Sequence, residues 1–416
     1  MRNIFLHLHP VSINESALRF NRTFGLGGMA ALLIVIQIAT GILLRFYYIP
    51  SPAAAYDSIL FIKNQVLFGQ FVRNIHYWSG VFLLIIAFLH FLRVFFTGAY
   101  RDFRKINWLF GLILMVLIVF SNFTGYLLPW DQLAYWAITV SSNILSYLPL
   151  IGDSLRTTIV GGKELNAGTL QTFFTFHTAL LPAFMIVLVL YHFWRVRKAG
   201  GIILPETREK AGMVSVVPNL IFKEFIVALS LIALLLLFAA LFNAPLLDKA
   251  NPSYSMNPTK APWYFAGVQE LLMHFHPLFA AFIIPLSVVV FLAWIPFLQF
   301  NEPPNGRWFI SEKGKHSAKV TLLFAVGVTL SGILVNEYLF NFELLLPGIP
   351  ALVSNGILPM LIVIMLIAAY YALYLKKFSL TKAELVQVAF VFIVGSFIVL
   401  TIIGIFFRGR DMELTL

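Results

Sequence analysis

Residues 76–90 read HYWSGVFLLIIAFLH and residues 177–192 read HTALLPAFMIVLVLYH. Each is an almost wholly apolar run bracketed by histidines, inside a stretch long enough to cross a bilayer. A helix turns about 100° and rises about 1.5 Å per residue, so spacings of 14 and 15 return the second histidine to roughly the face of the first, about 21 to 22 Å further along. Two such helices side by side would set His76 opposite His177 and His90 opposite His192, at two depths in the membrane. Imidazole is a strong axial ligand for heme iron, so the pairs predict two bis-histidine heme sites. A lone membrane histidine is more often a packed, hydrogen-bonded residue, but that reading does not account for four in matched pairs.

Of the 416 residues, 60% are hydrophobic and 11% charged, with a mean hydropathy of +0.88. Such a chain is no ordinary soluble globule; it reads as an all-α, polytopic membrane protein. Apolar segments of roughly 20 residues, the length that crosses a bilayer, lie near 26–48, 74–97, 107–128, 170–195, 220–243, 274–299, 317–339, 352–375 and 384–407. That gives about nine transmembrane helices, the first four expected to form a heme-binding bundle. Residues 1–24, with Arg2, His7, His9, Arg19 and Arg22, read as an interfacial lead-in rather than a cleavable signal. The absence of cysteine excludes disulfides, zinc-thiolate or iron-sulfur ligation by this chain, and thioether attachment of heme to it. The net charge of +11 would suggest nucleic acid in a soluble domain, but here the basic residues sit in short loops and no nucleic-acid partner is expected. Most of the 29 lie in the N-terminal lead and in the loops after the second, fourth, sixth and eighth spans, which predicts a cytoplasmic N-terminus and an outer C-terminus. Two outer loops, 126–169 and 244–273, are too long to be simple connectors and are expected to carry function. The inner stretch 196–218 marks the expected boundary between domains 1–200 and 201–416.

Glycines echo the histidines. Gly27 and Gly41 in the first span, and Gly111 and Gly125 in the third, are also 14 apart. Small residues are common wherever membrane helices pack, but the shared spacing predicts room for porphyrin edges. Arg73 and Arg93 each stand three residues from a candidate ligand, close enough on a helix to pair with heme propionates. Arg93 equally reads as a positive-inside anchor.

With GGM at 27–29, QIATG at 37–41, GYLLPWDQ at 125–132 and PWYF at 262–265 added to the histidine pairs, nearly the whole chain resembles cytochrome b, the quinol-oxidising heme subunit of cytochrome bc and b6f complexes. The spacing of 15 is similar to that of the chloroplast and Gram-positive branch, where the chain is usually split after the fourth helix; here the halves are joined. The resemblance implies two non-covalent hemes b, the low-potential one on His76 and His177 and the high-potential one on His90 and His192. It implies quinone sites on opposite faces, iron-sulfur (Rieske or other) and c-type cytochrome partners, a homodimer, and a bacterial-type cell membrane. The outer quinol site would use Pro129, Trp130, Asp131, Trp263 and Tyr264, and the inner quinone site Arg197, Lys223 and Glu224. Lys223 with Glu224 suits proton delivery to a reduced quinone, and equally an interfacial pair that sets helix depth. The branch-like spacing points to menaquinone, although no residue reads the ring.

Two departures stand out. The family's outer turn reads Pro-Glu-Trp-Tyr, whereas this chain has Ala261-Pro262-Trp263-Tyr264 and no acid in it. Glu270 is then the nearest carboxylate, with Asp131, His274 and His276 as further proton acceptors, so Tyr264, Glu270 and Asp131 are the expected catalytic residues. Gly25 stands where the chloroplast branch has a cysteine carrying an extra heme, which excludes covalent attachment there and leaves a loosely held third heme open. A ninth helix ending FFRGR at 406–410 exceeds the family's eight and reads as a partner-docking element or an extra anchor. Two other functions compete with the resemblance: an electron relay between quinone and a non-Rieske partner, and a transporter whose histidines relay protons.

Overall fold

The computed structural model describes residues 9–203, 212–304, 306–340 and 342–415. Arg2 and His7 of the expected lead-in lie outside the described residues. Helices occupy Leu26–Arg45 (α1), Ala55–Asn64 (α2), Gly69–Phe96 (α3), Lys105–Leu127 (α4), Gln132–Leu145 (α5), Gly152–Val160 (α6), Ala167–Thr175 (α7), Leu181–Lys198 (α8), Val216–Leu241 (α9), Ala266–His274 (α10), Ile284–Trp294 (α11), Glu312–Tyr338 (α12), Phe342–Leu345 (α13), Leu358–Leu373 (α14) and Lys382–Phe406 (α15). A short antiparallel ribbon pairs Ser12–Asn14 (β1) with Met213–Ser215 (β2).

Among the described residues, nine helical runs are long and apolar enough to cross a membrane, as the hydropathy pattern predicts. The fold is a polytopic helical membrane protein. The fourth run is a single rod, Ala167–Lys198, and the sixth is shorter than expected, Phe279–Phe297. That shortening arises because α10 stops at His274 and Phe275 is extended (ψ 149°). Of the two long loops, 126–169 holds α5 and α6 and 244–273 holds most of α10.

Three spans carry a π turn just before a proline: Phe176–Leu180 before Pro182, Phe279–Ile283 before Pro285, and Val353–Ile357 before Pro359. Proline has no N–H for the carbonyl four residues back and its ring crowds that carbonyl, so the helix widens there and takes in one extra residue.

The chain divides into two compact units. The first lies within Met1–Ile138, Thr157–Pro252 and Pro304–Arg307. In it α1 and α9 pack on α3, and α8 packs on α4. A bilayer gives polar side chains no water to bond, so they stitch the helices together. Gln37 Nε2 donates to Ser79 Oγ (2.7 Å) and to His76 O. Trp78 Nε1 donates to Phe242 O (2.7 Å), and Asn74 Nδ2 donates to Ala239 O (2.8 Å). One end of this unit closes over a buried cluster of Ala55, Leu127, Trp130, Ile138, Leu170 and Phe173.

The second unit lies within Thr139–Arg156, Ser253–Pro303 and Trp308–Leu416. Here α15 packs along α12 and α10. Glycines permit the approach, since a Cβ on Gly404 would sit 2.8 Å from Ala266 O and one on Gly395 2.8 Å from Leu322 Cδ1. Ile333, Val399, Leu400 and Ile403 form the buried seam. Thr381 and Glu384 close the start of α15 with a reciprocal capping box.

Candidate heme and quinone sites

The regular helix α3 carries His76 and His90; His177 sits in the π turn and His192 in α8. The structure brings them together as two facing pairs. Ring centres are 6.1 Å apart for His76 and His177 and 6.5 Å apart for His90 and His192, with planes at 83° and 80°. Metal–nitrogen bonds of about 2 Å on each side of one iron, with about 1 Å from each nitrogen to its ring centre, require a separation of about 6 Å, so both pairs fit a bis-imidazole metal.

Hydrogen bonds set the rings of the first pair for ligation. His177 Nδ1 lies 3.0 Å from Ser121 O, which can only accept, so Nδ1 carries the proton and Nε2 keeps its lone pair. Thr40 spends its hydroxyl proton on Ile36 O (2.7 Å), and its oxygen accepts from His76 Nδ1 at 2.9 Å. That again leaves Nε2 for metal.

Each expected glycine faces one of these rings. A Cβ would lie 3.3 Å from His90 Cε1 at Gly27, 3.2 Å from His76 Cε1 at Gly41, 3.6 Å from His192 Cε1 at Gly111 and 2.5 Å from His177 Cε1 at Gly125. Each notch thus lies against the edge of a paired imidazole. Arg73 is buried and donates to Ala244 O (2.8 Å) and Pro245 O (2.6 Å). Arg93 Nε donates to Arg22 O (3.1 Å), and Arg22 Nε is buried without a hydrogen-bond partner. An unpaired buried guanidinium N–H is costly and suits an anion such as a propionate. Sequence reasoning missed Arg22, because nothing local separates it from a lead-in cation.

On the side of the second pair, Lys223 Nζ donates to Leu18 O (3.0 Å) and Glu224 Oε2 lies 3.3 Å from His9 Nε2. His9 was also missed as a partner. The β1–β2 pairing brings the lead-in to the start of α9, a contact across some two hundred positions with no local signal. Arg197 lies in the last turn of α8. At Gly25 (φ +67°) a Cβ would lie 2.9 Å from Val227 Cγ1, so α9 fills that position.

Of the outer candidates in the first unit, Asp131 caps α5: Oδ1 accepts from Ala134 N (2.9 Å) and Oδ2 from Leu247 N (3.0 Å). Trp130, which follows Pro129, is buried with φ +51°. In the second unit Trp263 is partly exposed, its ring set edge-on to Tyr264 at 5.6 Å. Glu270 is wholly buried, with Arg408 Nη2 at 2.6 Å and His274 Nε2 at 3.0 Å from Oε1. His276 is edge-on to Tyr147 at 5.5 Å.

The fold and site define a helical membrane protein with two stacked histidine pairs, each at the separation of a bis-imidazole metal site. Residues 12–200 match the family model described as cytochrome b/b6/petB. The chain is 40% identical over 192 residues to cytochrome b6 of Heliomicrobium gestii, covering 46% of this chain and 88% of that one. It is 38% identical over 200 residues to the menaquinol:cytochrome c reductase cytochrome b subunit of Geobacillus thermodenitrificans, covering 48% of this chain and 89% of that one. The chain belongs to the cytochrome b/b6 family, a membership that implies heme b and displaces the transporter reading. A solved chain of a hyperthermophilic respiratory Complex III shares the fold across both halves, with a TM-score of 0.68 at 23% identity over 97% of this chain and 95% of that one.

Proposed function

We propose that this chain is the diheme, quinol-oxidising subunit of a bc-type complex. Its two histidine pairs at bis-imidazole separation, in a member of the cytochrome b/b6 family, carry that reading. His76 with His177 and His90 with His192 hold the two hemes b, which supply one-electron transfer across the membrane when bound. Arg22, Arg73 and Arg93 pair with their propionates. The positive-inside distribution puts the N-terminus and the second pair at the cytoplasmic side of a bacterial-type cell membrane.

Quinol binds on the outer side, where Trp263 and Tyr264 supply apolar wall and hydroxyl, and the Pro129–Asp131 segment is the other part that the resemblance assigns to that site. Asp131 spends both carboxylate oxygens on backbone N–H groups, so the proton of the quinol goes to the charged group around Glu270. On the inner side Lys223 and Glu224, with His9 beside them, bind and protonate the quinone, and Arg197 is the further residue that the resemblance assigns to that site. Menaquinol is the substrate by analogy with the Geobacillus relative, and an iron-sulfur protein and a c-type cytochrome are the electron-accepting partners.

The Ala261-Pro262 departure favours a second reading, a heme relay that exchanges electrons with a non-Rieske partner. Purification of the native complex separates the two. A copurifying Rieske-type subunit and menaquinol-driven heme reduction fit the first reading; a different iron-sulfur or molybdenum subunit fits the second.

A further inference from the structure

The ninth span ends in a charge cluster that plain anchoring does not require. Arg408, its side chain wholly buried, lies between two carboxylates. Its Nη2 and Nε donate to Glu270 Oε1 (2.6 Å) and Oε2 (3.0 Å), while Nη1 donates to Glu337 Oε1 (3.0 Å) and to Met412 O (2.9 Å). Glu270 is 0% exposed and Glu337 24%. His274 completes the group, with Nε2 3.0 Å from Glu270 Oε1 and 3.3 Å from Arg408 Nη2, and Nδ1 2.7 Å from Asn336 Oδ1. Burial pushes the Glu270 carboxyl upward, but hydrogen bonds from His274 and Arg408 and their charges outweigh it and hold it below the usual carboxylate range.

One guanidinium balances one carboxylate, and here there are two. With a neutral imidazole the group carries a net charge of −1, which is costly in a buried place, and one added proton cancels it. Glu270, held ionised by these bonds, stays charged and balances a proton taken up by its neighbour His274. When His274 Nδ1 donates to Asn336, Nε2 accepts from Arg408 Nη2 at 3.3 Å and also faces Glu270 Oε1 at 3.0 Å, so a proton placed there exchanges the first contact for a hydrogen bond to the carboxylate.

The same region is tied to the outer turn. Gln269, next to Glu270, accepts from Ala261 N (2.7 Å) and donates to Thr259 O (2.8 Å). Lys260 Nζ donates to Ile405 O (2.8 Å) at the end of α15, and Asn257 and Asp411 bond each other, at 2.5 and 2.6 Å. The charged groups facing the cluster thus come from α10, α12 and the segment after α15, with Lys260 and Asp411 at its edge.

We propose that Glu270, His274, Arg408 and Glu337 form the proton-accepting and proton-exit relay of the outer quinol site, with the ninth helix supplying Arg408 as its positioning residue. This rests on the outer quinol site proposed above. One quinol O–H bond breaks and its proton becomes an N–H on His274, beside the ionised Glu270, while one electron leaves and the one-electron-oxidised quinone stays behind for the second oxidation. The proton then leaves by the partly exposed Glu337 to water, while the electron goes separately to the iron-sulfur partner.

The test uses the complete complex in membranes, a short-chain menaquinol analogue, and heme content as the check on folding. Glu337→Gln should keep heme content and KM, lower kcat at least about tenfold, and move the acid limb of the pH–rate profile to lower pH, because one negative charge is gone. Arg408→Gln should move that limb to higher pH, and Arg408→Lys should recover most of the native rate. If Arg408→Gln does not assemble, Glu337→Gln decides alone. Heme-loaded variants with native kcat and pH profile would overturn the relay. A native complex whose hemes accept electrons from dithionite and not from quinol would instead sink the outer-site reading itself.

Discussion

His177 and His192 are fifteen residues apart, one more than His76 and His90, yet they meet the same two partners at 6.1 and 6.5 Å. The π turn Phe176–Leu180, forced by Pro182, takes up the extra residue. A regular helix would rotate one of the two rings by about 100° for that residue.

Two single-residue deletions should therefore have opposite outcomes. Removing Ala179 from the π turn should regularise that helix to a spacing of 14 and leave two low-spin hemes. Removing Ala87 from the regular α3 should swing His76 and His90 apart and cost one heme. Pyridine hemochrome counting reads both, and equal losses would mean that the π turn does not set the register.

Ligand replacements should sort by pair. His76→Ala or His177→Ala should abolish one b heme, and His90→Ala or His192→Ala the other, halving the heme count each time. Redox titration of the remaining heme identifies which was lost. Two intact low-spin signals in any one variant would break the pairing.

Gly125 and Gly111 should differ sharply. An alanine Cβ at 125 would lie 2.5 Å from His177 Cε1, whereas at 111 it would lie 3.6 Å from His192 Cε1, an ordinary contact. Gly125→Ala should cost about 1–3 kcal/mol by overpacking and displace the first heme; Gly111→Ala should keep both. A native heme spectrum in Gly125→Ala would contradict the close approach.

Asp131 separates a structural from a chemical role. As a cap, Asp131→Asn should retain turnover, and Asp131→Ala should lower stability by about 1–2 kcal/mol. Thermal unfolding beside quinol oxidation measures both. Loss of turnover in a folded Asp131→Asn would make this carboxylate the proton acceptor.

The spans and the histidine pairs were legible because apolar length and helical repeat are local properties of the sequence. The π turn was half-legible: Pro182 marks it, but a spacing of 15 already suits a helix roughly, so nothing demanded it. Arg408 read as a terminal basic residue because its carboxylate partners lie some 70 and 140 positions earlier. His9 and Arg22 escaped for the same reason, being placed by strand pairing and by an Arg93 bond from distant segments. The glycine notches were legible from their spacing, whereas the imidazole edge that each one faces depends on the rotamers across it.

The most direct test is to add a menaquinol analogue anaerobically to the oxidised native complex and follow b-heme absorbance, with heme counted per chain. The account predicts two non-covalent hemes b per chain, both reduced from quinol. A chain without b heme, or with hemes that only dithionite reduces, would contradict it.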